Sequence, residues 1–215
     1  TRPRVVFTSS VASFSANQNT TLPDNARQIP GNSYGAQKAI AELILADASR
    51  RGFLDAVSIR LPTVIVRPGR PNKAASSFFS AIVREALLGL DTELPVPDDF
   101  AVWVCSPRRA VDWLLHAATI DTSRMGLDRS IDPPGISTTV AHLLQALEAV
   151  APGASAHVKR VEDETIRAIV STWPPAFEAL HARTLGFSAH EPIQDVIRAF
   201  IADDLEATKA ERATG

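Results

Sequence analysis

The sequence predicts an α/β protein built on part of an open, doubly wound parallel sheet, plus a smaller, mostly helical portion. Two apolar runs and the segment between them carry that reading. "RVVFTS" over Arg4–Ser9 and "AVSIRL" over Ala56–Leu61 are rich in β-branched residues, the pattern of strands buried on both faces. The segment between them has helical spacing, so strand, helix and strand form a right-handed parallel crossover.

The first strand ends in hydroxyl residues, and a polar loop rich in Asn, Gln, Thr and Pro runs from Val11 to Gly31. Loops of that length are often functional. Asn32 or Ser33 can cap a helix to about Arg51, with Ala39, Ile40, Leu43, Ile44 and Ala48 as its apolar stripe and Gly52 as its stop. After the second strand, "TVIVRPGRPN" reads as a turn-rich loop, and Ala74–Leu90 as a helix. Short strands are expected at Leu94–Val96 and Ala101–Cys105, then a helix from Pro107. Helices at 137–151, 162–171, 175–185 and 192–210 complete the chain, with "AHVKRV" as a strand and a frayed C-terminus.

At 215 residues, 45% hydrophobic and 21% charged, the chain can bury a real core. A net charge of −2 with scattered basic residues gives no reason to expect nucleic acid or an acidic membrane as partner. The single cysteine, Cys105, excludes an internal disulfide or thiolate cluster and reads as a small buried hydrophobe. No apolar run approaches the roughly 20 residues that cross a bilayer, and no signal-peptide pattern opens the chain, so a cytoplasmic setting is expected. Asn19-Thr20-Thr21 fits a glycosylation sequon and, in that setting, reads as chance. The five histidines have no metal-ligand spacing, and no metal is expected. Trp103, Trp113 and Trp173 read as core or domain-contact residues.

The chemistry-bearing stretch is "NSYGAQKAIAEL", where the only tyrosine, Tyr34, precedes one of four lysines, Lys38, by four residues. Chance alone gives that spacing roughly 2% of the time. A surface helix pair is the plain alternative, because residues four apart are neighbours on any helix. Context favours chemistry. An ammonium group one turn away, and the positive end of a helix, both favour a phenolate and so make a phenol a better base. Upstream, "FTSSVAS" places hydroxyls at the carboxyl end of a parallel strand, where open α/β sheets bind ligands.

Taken together, "VVFTSSVAS", "YGAQKAIAE" and "SIRLPTVIVRPG" resemble the second half of the extended short-chain dehydrogenases/reductases, the NAD-dependent epimerase/dehydratase family. The resemblance implies a Rossmann-like fold and an NAD-dependent oxidoreductase acting on a secondary alcohol. Within the family, "RLPTVIVRPGRPNKAASSFFS" and "VCSPRRAVDWLLHA" are most similar to a branch that oxidises a small sugar acid such as D-erythronate. By resemblance, Tyr34 would take the hydroxyl proton, and Lys38 would hold the nicotinamide ribose and tune the tyrosine. Ser10 would orient the reacting oxygen, with Ser9 as its rival. Thr8, Leu61 and Pro62 would line the nicotinamide, NAD or alternatively NADP, and Thr63 would lie near the substrate. Of Arg67, Arg70, Arg108 and Arg109, Arg108 is favoured to hold a substrate carboxylate, because it sits near a strand-to-helix junction.

Phe14-Ser15 stands where sugar-nucleotide epimerases carry Tyr-Gly, and the Thr-Asp-Glu run of the dehydratases is missing. Both departures favour a plain dehydrogenase over an epimerase or dehydratase. A noncatalytic dinucleotide sensor of the same fold is a further alternative, against which Tyr34 argues. The ten glycines include no Gly-x-Gly or Gly-x-x-Gly pair, so the phosphate-binding turn of a dinucleotide site is not among these residues. The expectation is a C-terminal portion, inactive alone, whose cofactor-binding half lies upstream. An upstream fragment or a homo-oligomer would be its partner. Residues 1–69 and about 100–120 would then complete the dinucleotide domain, with about 70–99 and 121–215 as the substrate portion.

Overall fold

The computed structural model describes residues 2–14, 21–72, 74–188 and 192–213. Ser15, His190, and Asn19 and Thr20 of the sequon lie outside the described residues. The chain begins with strand β1 (Arg4–Ser10), a 3-10 turn (Val11–Ser13), β2 (Thr21–Leu22), helix α1 (Ser33–Arg50), β3 (Asp55–Leu61) and β4 (Thr63–Val64). It continues through α2 (Ser77–Leu87), β5 (Thr92–Leu94), β6 (Ala101–Cys105), α3 (Pro107–Thr119), β7 (Ser130–Ile131) and β8 (Ile136–Thr139). The remainder is α4 (Val140–Val150), β9 (Val158–Arg160), α5 (Glu164–Val170), β10 (Ala176–Phe177), α6 (Leu180–Thr184), α7 (Ile193–Asp203) and α8 (Leu205–Ala213).

Two compact units result. The first comprises Thr1–Pro62, Arg109–Gly135 and Thr172–His190, and the second Thr63–Arg108, Ile136–Ser171 and Glu191–Gly215. This division differs from the expected one. Strands β4, β6 and β8 hydrogen-bond into one sheet, which draws residues 63–69 and 101–105 into the second unit.

In the first unit β1, β3 and β7 form a parallel sheet in that order, with register from Arg4↔Asp55 to Ser10↔Leu61. Ala56, Val57 and Ile59 of β3 are fully buried, as a central strand requires. Val5, Val6 and Phe7 of β1 are only half-buried, because among the described residues β1 pairs on one side alone. Helix α1 starts where Asn32 accepts the Gly35 N–H (2.8 Å) and stops before Gly52, whose φ of +80° breaks the helical run.

The expected apolar stripe of α1 holds at Ala39 and is overturned at its large residues. Ile40, Leu43 and Ile44 are 56%, 69% and 62% exposed, and the buried positions are Gly35, Ala39, Glu42 and Ser49. The inward face meets strand-end hydroxyls and a buried arginine, which need polar partners, so the large aliphatic residues turn outward.

In the second unit β6 pairs parallel with β4 and antiparallel with β8. Phe79, Ile82 and Val83 of α2, Leu143 and Leu147 of α4, and Val196 and Ile197 of α7 are buried here. The helix expected at 137–151 begins as strand β8, and Thr139 then caps α4 by accepting the His142 N–H. The helix expected at 192–210 is broken at Asp204, and the one at 175–185 resolves into β10 and short α6. Trp103, Trp113 and Cys105 are buried. No helix among the described residues is long and apolar enough to cross a membrane.

Candidate active site

The site is built where helix α1 begins beside the end of β1. Ser10 closes the strand, and its Oγ accepts the Ala12 N–H (3.2 Å), starting the 3-10 turn. The first turn of α1 lies directly on that turn. A Cβ placed on Gly35 would stand 1.8 Å from the Ala12 carbonyl oxygen, so only glycine permits the approach. Tyr34 is thereby carried next to the serine turn, with its side chain 54% exposed.

One turn along, Lys38 is held by two kinds of contact. Its Nζ donates to the Thr8 carbonyl (2.7 Å) and lies 5.5 Å from the Tyr34 ring centroid and 4.8 Å from that of Phe7. The ammonium is thus fixed between the strand end and the phenol ring.

The two adjacent serines part ways. Ser9 is 3% exposed and its hydroxyl donates inward to Glu42 Oε1. Ser10 is half-buried at the turn. Beneath them lies a buried charge network. Glu42 Oε2 accepts from Arg60 Nε (3.0 Å) and Nη2 (2.9 Å), from Gln28 Nε2 (3.0 Å) and from Ser130 Oγ (2.9 Å). Arg60 also donates to Asp132 Oδ2 (3.0 Å) and lies over the Phe14 ring at 5.0 Å. Burial works against the Arg60 charge, but Asp132 and Glu42 more than offset it and hold its pKa above the ordinary value. Removing one member of such a cluster strands the others, at a cost of about 3–5 kcal/mol.

Burial pushes the Asp132 carboxyl up to about 7 against the pull of Arg60, and its Oδ1 has no hydrogen-bond partner among the described residues. The folded chain therefore holds that proton more tightly than the unfolded chain does. Stability contributed by this group is full below pH 3.8 and is lost as pH rises through about 7. Asp132→Asn is expected to flatten that decline, as measured by denaturant unfolding between pH 4.5 and 7.5; an unaltered slope would assign the decline to other groups.

Thr8 is exposed on β1, and Leu61 is the register partner of Ser10 on β3. Pro62, which is buried, follows. Thr8, Ser10, Tyr34, Lys38, Leu61 and Pro62 thus belong to one unit, and Thr63 and Arg108 to the other. Thr63 is 8% exposed, and the Arg108 guanidinium forms a bidentate pair with Asp203 (2.5 Å each). That fork is already engaged by a carboxylate of the chain itself. Among the described residues no group of three or more His, Cys, Asp or Glu could hold a metal ion.

Gly35, Glu42, Arg60 and Asp132 were not singled out from the sequence. A signal for two of them exists: Arg60 is a charge within a buried apolar strand, which demands a partner, and Glu42 follows Lys38 by four on the same helical stripe.

Residues 1–106 match the NAD dependent epimerase/dehydratase family. The chain is 44% identical to the D-erythronate dehydrogenase of Cupriavidus necator, over 94% of this chain and 63% of that protein. It is 40% identical to the D-erythronate dehydrogenase of Haemophilus influenzae, over 94% and 64% respectively. The chain therefore spans a little under two thirds of the length of these relatives. A crystal structure of a nucleoside-diphosphate-sugar epimerase from Agrobacterium tumefaciens superposes with a TM-score of 0.91 at 48% identity, covering 95% of this chain and 60% of that one. An L-threonine dehydrogenase from Cupriavidus necator superposes at 0.84 with 21% identity, over 93% of this chain and 65% of that one, a likeness of fold alone.

Proposed function

This chain belongs to the NAD dependent epimerase/dehydratase family, and from that premise we propose a role in oxidising a small sugar acid. Its fold is the Rossmann-like α/β fold of those enzymes. The observation that carries the proposal is Lys38, anchored on the Thr8 carbonyl and set against the Tyr34 ring where α1 meets the serine turn.

In this reading Tyr34 is the general base for a secondary hydroxyl, and Ser10 hydrogen-bonds the same oxygen as negative charge develops on it. Ser10 suits that role better than Ser9, whose hydroxyl is committed to Glu42. A bound nicotinamide, as NAD or alternatively NADP, would supply the hydride acceptor. Thr8, Lys38, Leu61 and Pro62 suit its nicotinamide end, grouped as they are near the carboxyl ends of two parallel strands. The pyrophosphate end has no glycine-rich turn in this sequence. The 215-residue chain by itself is therefore expected to bind NAD weakly and to show no dehydrogenase activity. Micromolar binding by calorimetry would overturn that expectation.

The names of the two relatives favour D-erythronate as substrate. Thr63 and Arg108 are proposed to meet it, Arg108 by exchanging Asp203 for the substrate carboxylate. The test compares D-erythronate with its amide in a protein of the relatives' full length that carries these residues. A lost charge-assisted hydrogen bond is worth roughly 1.5–3 kcal/mol, so efficiency should fall by about one to two powers of ten. Equal efficiency on the amide would discard the sugar-acid reading.

The likeness to a nucleoside-diphosphate-sugar epimerase supports a second reading, in which the same proton abstraction begins an epimerisation. Release of reduced cofactor during turnover favours the dehydrogenase; its retention favours the epimerase. A cytoplasmic setting belongs to the same proposal. So does a partner along the edge of β1 that is unpaired among the described residues, or against the exposed aliphatic face of α1, either an upstream segment or a second copy.

A further inference from the structure

We propose that Glu42 is a positioning residue for the proton-transfer pair, setting helix α1 on strand β1 so that Tyr34 and Ser10 share one substrate oxygen. The inference rests on the proposed role of Tyr34.

Positions 34, 38 and 42 step by four along α1 and form one stripe, whose second and third members meet strand β1. The contacts of that stripe with β1 are consecutive: Lys38 holds the Thr8 carbonyl, and Glu42 holds the Ser9 hydroxyl. Ser10, the next residue, opens the turn on which Gly35 packs. Three points, at Gly35, Lys38 and Glu42, thus determine both the rotation and the axial position of the helix. Rotating α1 about its axis would break the Glu42 contact with the buried Ser9 hydroxyl. The lever is stiff because Glu42 is itself gripped by Arg60 through two hydrogen bonds, and Arg60 by Asp132.

A carboxylate is required at this place. Five donors converge on its two oxygens, and Arg60, Gln28, Ser9 and Ser130 supply them. An amide of the same shape can keep its oxygen on the four Oε2 donors and donate its NH₂ to the Ser9 hydroxyl, but it brings no charge to balance Arg60 and reverses the bond to Ser9, and an apolar residue satisfies none. The structure assigns no contact between Glu42 and reacting atoms, so its effect passes through Ser9 and the helix.

The lone tyrosine offers a direct reading, because 3-fluorotyrosine places a single ¹⁹F label at position 34 of the 215-residue chain. Glu42→Gln is expected to displace or broaden that resonance, and Ser9→Ala, which removes only the strand side of the tether, to displace it less in the same direction. In a protein of the relatives' full length, Glu42→Gln should lower kcat roughly ten- to a hundredfold, the scale of a small misplacement of reacting groups. KM should change by less than about twofold, and Glu42→Asp should not restore kcat, because its shorter arm cannot reach both partners. An unmoved resonance and normal kcat in folded Glu42→Gln would overturn the proposal. Should Glu42→Gln fail to fold, an unmoved resonance in folded Ser9→Ala overturns it instead. Loss of activity in Tyr34→Phe together with a silent Glu42→Gln would reject this inference alone; an active Tyr34→Phe would reject the reading beneath it.

Discussion

Tyr34→Phe is expected to lower turnover by about 10²–10⁴-fold, the range of a general acid–base contribution, with the fold left intact. The substitution deletes one hydroxyl from a side chain that is more than half exposed, so little packing is disturbed. The ring that Lys38 approaches remains, and so does the Lys38 bond to the Thr8 carbonyl. What is removed is the only phenol oxygen in these 215 residues. Steady-state kinetics in a protein of the relatives' full length, with circular dichroism as the control for folding, provides the measurement. Near-normal kcat in a folded variant would remove Tyr34 from the mechanism. Lys38→Met should also lower activity and weaken nicotinamide binding, because the ammonium that bridges strand end and phenol ring is lost.

Gly35→Ala is expected to do comparable damage by a different route. Its added methyl would stand 1.8 Å from the Ala12 carbonyl oxygen and 3.2 Å from Pro30 Cβ. The first of these is backbone, which cannot rotate aside, so either the helix or the serine turn must move. Overpacking of this kind typically destabilises by about 1–3 kcal/mol, and more where rigid atoms collide. Any helix shift also separates Tyr34 from Ser10, so activity should fall further than stability alone accounts for. Thermal unfolding and kcat measured on the same sample separate the two effects. A Gly35→Ala chain with unchanged Tm and turnover would mean that α1 and the turn are not held together as described.

Much of the fold was legible from local signals. The two β-branched runs became β1 and β3 in a parallel pair, and Asn32 and Gly52 bounded α1, because strand propensity, caps and positive-φ glycines act over a few residues. Tyr34 and Lys38 were legible for the same reason: a spacing of four on a helix is a statement about neighbours. Local signals also mislead, at β8, whose last three residues, Ser137–Thr139, read as the start of the helix that follows, and at Asp204, where one helical pattern hides a break.

By itself the sequence determined an α/β chain with a Tyr-x-x-x-Lys helix following a hydroxyl-ended strand. Which face of that helix turns inward was decided only in three dimensions. Read alone, Ile40, Leu43 and Ile44 outweigh a single glutamate, yet they face outward and Glu42 is buried. The reason lies in residues remote along the chain: Ser9, Arg60 and Ser130 bring unpaired donors to one place. Leaving buried donors unsatisfied costs more than exposing aliphatic side chains to water. The same nonlocal accounting separates Ser9 from Ser10, two identical residues side by side, because strand alternation points one hydroxyl at a carboxylate and leaves the other at the turn.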